Sequence, residues 1–180
     1  MWKYTADGLK LLHTFGNGGE SEDCVYDDEN RTLLISEEEV SGVLRACAVT
    51  EALDSSNPVI VDSREGNIGG DPEGVTLYKT GAREGYIILS SQGDSKFNLY
   101  NRTAPYSYSG SFEVGEVGTV DGVSITDGVA AINYPLNEDF PRGILVVQDN
   151  DNISKTTRKT RRQNFKLISF SDVIEALQLK

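Results

Sequence analysis

Seven side chains with oxygen donors sit where this chain enters or leaves short apolar runs. Glu22, Asp71, Glu73 and Asp127 stand ahead of such a run, Glu38 and Gln92 stand behind one, and Asp121 lies six residues upstream of Asp127. Carboxylates and amides are hard donors. A set built from them alone selects Ca²⁺ or Mg²⁺ over zinc or copper. His13 is the only histidine, so catalysis by paired histidines and a multi-histidine metal site are both excluded, and His13 reads as a surface strand residue. Cys24 and Cys47 are the only cysteines and have no CxxC spacing. Two readings stay open for them: a disulfide within the first unit, or two buried thiols.

Each acidic feature also has a plain reading. Glu37-Glu38-Glu39 is a solvated charge run unless its position recurs. It does recur: Gln92, and then Gln148-Asp149, follow the equivalent apolar runs, which points to a shared rim for Glu38. Asp121-Gly122 and Asp127-Gly128 are turn signals by themselves; the sharper expectation is that both face the cluster of Asp71 and Glu73. Residues 149–152, DNDN, resemble a calcium loop but lack the Gly and the distal Glu of an EF-hand. Lys155, Arg158, Lys159, Arg161 and Arg162 form a basic cluster that reads as a solvated loop, with phosphate attraction as the alternative.

The elements that must position these residues repeat. Residues 71–102 predict three short strands, around Val75–Tyr78, Tyr86–Leu89 and Phe97–Tyr100, with turns at Thr80-Gly81 and Gln92-Gly93-Asp94. The same pattern precedes it, with Leu33–Ile35 as the second strand, and follows it, with Ile144–Val147 as the second strand and RRQNFKLISF as the third. Glu22, Glu73 and Asp127 open the three copies at steps of 51 and 54 residues, a period suited to propeller blades. Pro58–Asp62 and Ser111–Val114 are expected to supply fourth, outer strands. The blade-like repeats span residues 21–62, 71–114 and 121–170. Ahead of them, residues 9–14 alternate as an outer strand pairing with something else. Behind them, SDVIEALQL predicts a short C-terminal helix with Ser171 as N-cap.

The fold class is therefore all-β: about three blades of a propeller, each a four-stranded antiparallel sheet, plus that helix. Eighteen glycines suit it, and 180 residues suffice for a real core. The net charge of −11, from 28 acidic against 17 basic residues, disfavours nucleic acid and anionic membranes. No apolar run is long enough to span a bilayer, and the first ten residues lack the shape of a signal peptide. Propeller topology would bring Glu22, Asp71, Glu73, Asp121 and Asp127 to one mouth, with Glu38 and Gln92 on adjoining loops. Carboxylates so crowded repel one another unless cations sit between them.

DPEG, GYIILSSQGDSKFNLYNR, DGVSITDGV, FPRGILVVQDNDN and QNFKLISF, in this order, together with EDCVYDDENRTLLISEEE upstream, closely resemble the β-propeller phytases. The resemblance runs from about Leu9 onward. It implies a calcium-dependent enzyme that hydrolyses phosphomonoesters of phytate (inositol hexakisphosphate), with bridging Ca²⁺ ions that bind substrate phosphates and activate an attacking water. Residue by residue, it implies active-site roles for Glu38, Asp71, Glu73 and Asp121, and calcium ligation by Glu22, Glu38, Asp71, Glu73, Gln92, Asp121 and Asp127. Asp23 stands where the family usually has Gly, and Ile125 where it has Asp.

The family's propeller is six-bladed, and this chain resembles its C-terminal half. Three blades are fewer than the four to eight that close a propeller. The resemblance therefore implies a second chain or self-association to complete the ring, or else a non-catalytic calcium-binding fragment. An unrelated interaction propeller, with carboxylates that merely solvate loops, is the third reading. Family members are secreted or periplasmic, so an extracellular or periplasmic site is expected, and a start inside the domain would account for the missing export signal.

Overall fold

The computed structural model describes residues 2–11, 14, 19–39, 41–49 and 57–179; His13 lies outside them. It is an all-β molecule. A hairpin of β1 (Trp2–Thr5) and β2 (Gly8–Leu11) precedes a four-stranded sheet of β3 (Ser21–Asp27), β4 (Thr32–Glu37), β5 (Val43–Ala48) and β6 (Val59–Ser63). A second four-stranded sheet follows: β7 (Pro72–Lys79), β8 (Gly85–Ser91), β9 (Lys96–Asn101) and β10 (Tyr108–Phe112). The third contains β11 (Val129–Ile132), β12 (Ile144–Asp149) and β13 (Asn164–Ser169), and helix α1 (Phe170–Leu177) closes the order. Every pairing is antiparallel between chain neighbours, the arrangement that lets each strand fold back on the one before it without a crossover. No described helix is long and apolar enough to cross a membrane.

The sheets are built on one register. Cys24 faces Ile35, Val75 faces Leu89 and Val129 faces Val147, so these three pairs are equivalent. Because side chains alternate across a strand, each middle strand presents apolar residues to both neighbours. Leu34, Leu44 and Ala46 of the first sheet pack on Val75, Leu77, Ile87 and Leu89 of the second. Ile88, Phe97 and Leu99 on the far face of the second pack on Leu145 and Val147 of the third, with Phe170 and Val173 of α1.

Polar ties repeat as well. The Ser36 hydroxyl donates to the Glu73 carbonyl at 2.5 Å, and its equivalent, Ser90, donates to the Thr126 carbonyl at 2.6 Å. Each binds the second strand of one sheet to the start of the next.

Several expectations are corrected. The third sheet has three strands among the described residues, not four; after β13 the chain turns at once into α1 because Phe170 is drawn into the core, stacked on Tyr78 at 3.4 Å between ring centroids. That contact also moves the N-cap to Ser169, whose backbone is extended (φ −65°, ψ 126°), from the expected Ser171. Residues 8–11 pair with the chain's own β1. Glu22 and Glu73 lie within β3 and β7 rather than ahead of them. Neither cysteine is in a disulfide; Cys47 is buried and Cys24 exposed. Cys24 sits across from Ile35 and Cys47 across from Leu33 with β4 between them, so neither a disulfide nor a second buried thiol is formed.

At the end of β3 a buried charge pair locks the first sheet to the second. Arg102, fully buried, donates to both carboxylate oxygens of Asp27 at 2.6 and 2.5 Å, to the carbonyls of Gly81 and Glu84, and to Glu29. Burial pushes Asp27 up, but the bonds from Arg102 and Asn30 win and hold its carboxyl below the usual range. Arg102→Ala is expected to cost about 3–5 kcal/mol by stranding a buried carboxylate, and the double variant Asp27→Asn, Arg102→Met much less. Urea-unfolding midpoints of the three proteins check this.

Candidate metal centre

The first strands of the three sheets run side by side, and their N-terminal ends carry the acidic residues. The Val75 amide donates to Asp23 at 2.9 Å, and the Gly74 amide donates to the Asp127 carbonyl at 2.8 Å. A Cβ at residue 74 would lie 2.3 Å from that carbonyl oxygen, so only glycine lets the two segments approach this closely. Glu22, Glu73 and Asp127 therefore emerge at one rim. Glu38, just past β4, and Gln92, just past β8, reach the same rim from the second strands.

Carboxylate oxygens of Glu20, Glu22 and Glu38 lie within 4.8 Å of one another. Burial, then Asp71, Glu22 and Glu20, raise Glu38 above the ordinary glutamate range. Glu73, only 8% exposed, is pushed up to about 7, first by burial and then by Glu22, Asp127 and Glu38. The crowding is thus real charge repulsion and spans the first strands of all three sheets. Arg64 brings partial relief: it is ion-paired with Asp71 and donates to the Glu39 carbonyl at 2.6 Å. The Gln92 amide donates to Asp127, and the Gln92 backbone N–H donates to the Asp71 carbonyl at 2.8 Å. Hard oxygens, mutually repelling and only partly neutralised, are a donor set that fits a divalent cation of the calcium type.

The structure thus brings together six of the seven expected residues: Glu22, Glu38, Asp71, Glu73, Gln92 and Asp127. It does not bring Asp121 to them. That carboxylate pairs with Lys166 at 2.5 Å and accepts the Ile153 amide, while Lys166 also pairs with the fully buried Asp149 at 2.9 Å. Burial acts upward on Asp121, yet the bonds from Lys166 and Ile153 hold it below the usual carboxylate range. Asp149 is therefore a core ion-pair member rather than part of a calcium loop. By register the residue equivalent to Glu38 and Gln92 is Asn150, so Gln148-Asp149 sit one to two residues inside the expected rim position.

Two members were missed from sequence. Glu20 stands two residues before Glu22, and the alternation of an extended segment would have put both on one face. Arg64 lies in an irregular loop, and no pattern pointed to it. The basic cluster stays at the surface: Arg158, Lys159, Arg161 and Arg162 are exposed, and Lys155 pairs with Glu116 at 3.1 Å. The second acidic group, Asp27, Asp28 and Glu29, is already neutralised by Arg102 and Lys79.

Comparison with known proteins bears on this rim. Residues 3–180 match the phytase family. Over 169 residues, 93% of the chain, the sequence is 32% identical to a 3-phytase of Bacillus subtilis (strain 168), and the match covers 43% of that protein. The chain spans less than half the length of this curated relative.

Glu73 gives the rim a pH signature. Its folded value of about 7 lies above the ordinary 4.5, so the stability it contributes is complete below about pH 4.5 and is lost as pH rises through about 7. With chelator present, stability should fall between about pH 5 and pH 8 by an amount on the order of 1–3 kcal/mol. Glu73→Gln should remove most of that slope. Melting temperatures across the range decide it; an unchanged slope in the variant would show that Glu73 is not strained.

Proposed function

The chain belongs to the phytase family, and on that premise we propose that its acidic rim binds calcium and serves the release of inorganic phosphate from phytate. The observation that carries this reading is the set of carboxylates from three consecutive sheets whose mutual repulsion raises both Glu38 and Glu73. A protein that crowds charge in this way, and among the described residues supplies only Arg64 and an amide against it, is built for a cation from outside. The sheets are then read as consecutive blades of a propeller, with β3, β7 and β11 nearest its axis.

In this reading Glu22, Glu38, Asp71, Glu73 and Asp127 offer carboxylate oxygens to calcium, and Glu20 joins them. Gln92 fixes the orientation of Asp127, and Arg64 that of Asp71. Asp121, tied to Lys166, acts as a ligand or catalytic group only if that pair opens. When bound, calcium offsets the negative charge of phosphate and of the developing transition state. With a net charge of −11, phytate reaches the rim through bound cations and not through the bare protein. Clustered, partly exposed carboxylates suit sites that fill at the roughly 10⁻⁴–10⁻³ M calcium of extracellular fluids, in keeping with an extracellular or periplasmic location. The match covers 43% of the relative, and a complete substrate site calls for blades beyond the three described sheets.

Calcium should raise the melting temperature of the purified chain, by the equivalent of about 2.7 kcal/mol at a hundredfold excess over Kd. Glu22→Gln with Glu73→Gln should abolish that rise, and phosphate release from calcium phytate should stop on adding chelator. Equal melting temperatures with calcium and with chelator would overturn the proposal.

A further inference from the structure

Among the described residues Arg64 is the cation brought to the acidic rim, and most of what holds it there is neutral. Its Nε–H donates to the Gly70 carbonyl at 3.3 Å and its Nη1 to the Glu39 carbonyl at 2.6 Å. Its backbone N–H donates to the Gly42 carbonyl at 3.0 Å. A Cβ at residue 42 would lie 2.7 Å from Cγ and Nε of Arg64. Glycine therefore leaves the slot in which the side chain lies, and the φ of +40° there is one that glycine adopts without strain. Only Nη2 meets a charge, pairing with Oδ1 of Asp71.

That pair is open where the structural pairs are closed. The side chains of Arg102 and Asp27 are 0% and 1% exposed, and those of Lys166 and Asp121 8% and 13%; those of Arg64 and Asp71 are 29% and 36% exposed. An exposed ion pair contributes little to stability, so Asp71 can change partner at small cost. The guanidinium cannot leave as easily. Were Asp71 to turn to a divalent cation, the Gly70 and Glu39 carbonyls and the slot over Gly42 would keep the arginine's charge beside it. Two neighbouring cations repel, and an anion that touches both relieves them. A planar guanidinium with a released N–H suits an oxygen of a phosphate group.

We infer that Arg64 is a phosphate-binding residue gated by the metal ion. It holds Oδ1 of Asp71 while the rim lacks a divalent cation, yields that oxygen to calcium, and donates the released N–H to an oxygen of the substrate phosphate. The inference rests on the calcium reading above and deepens it by naming a phosphate contact within this chain. Two effects of opposite sign follow. Arg64 competes with calcium for Asp71, so removing its charge strengthens calcium binding. It supports the phosphate once calcium is bound, so the same change weakens phosphate binding. A residue that merely braced the loop would weaken both when removed.

The test is titration calorimetry on the whole chain, on Arg64→Gln and on Arg64→Lys. Calcium is titrated first, and phenyl phosphate, a soluble monoester, is then titrated into the calcium-loaded proteins. Arg64→Gln should bind calcium about three- to tenfold more tightly, the scale of one screened charge beside a divalent ion. It should bind phenyl phosphate about tenfold more weakly, the loss of one charge-assisted hydrogen bond. Arg64→Lys keeps the charge and guards against loss of the fold. Its calcium affinity should stay within about twofold of the unaltered chain's, while its phosphate binding falls, because a point charge replaces a planar fork. Calcium affinity unchanged or weakened in Arg64→Gln would overturn the inference and leave the rim standing as a calcium site. Equal phosphate affinity in all three calcium-loaded proteins would do the same. Calcium binding by none of the three would overturn the rim reading itself, and this inference with it.

Discussion

The close approach of β3, β7 and β11 is the constraint on which the rest depends. Packing of branched aliphatic faces draws the sheets together, and the bonds from Ser36, Ser90, Val75 and Gly74 fix how the strand starts align. Those starts carry Glu22, Glu73 and Asp127. Apolar burial thus supplies the free energy that holds like charges in one place, and the rim stores part of it as the raised Glu73 and Glu38.

The two ends of these strands resolve charge in opposite ways. Some five residues beyond Glu22, about 17 Å along β3, Asp27 meets a buried arginine held by both carboxylate oxygens and two carbonyls. That end is closed chemistry: each charge has a protein partner, and the pair serves to join sheets. Lys166 does the same for Asp121 and Asp149 in the third sheet. At the rim the described residues supply one arginine and one amide against six carboxylates, Glu20, Glu22, Glu38, Asp71, Glu73 and Asp127. The contrast separates structural acids from candidate ligands better than acidity does.

Repetition also shows where the third sheet departs from the other two. Each sheet has a face that gives and a face that receives, since the middle strand is apolar on both sides. Phe165 and Leu167 are exposed where their equivalents Phe97 and Leu99 are buried, whereas on the β3 face Ile35 and Cys47 are buried beside the exposed Cys24 and Tyr26.

The sequence by itself determined the all-β class, the three repeats, the strand cores and most of the acidic rim. These are local matters: period-2 alternation, turn residues and the 51- and 54-residue steps carry them. Tertiary structure alone decided what each charge faces. Asp121 and Asp127 both belong to Asp-Gly turns six residues apart, yet one meets Lys166 and the other meets Glu73 and Gln92. Arg64 enters the rim from a loop with no periodicity, and Phe170 redirects the last strand into a helix by stacking on Tyr78, 92 residues earlier in the chain. Such pairings depend on contacts between distant segments, which periodicity along one segment does not encode.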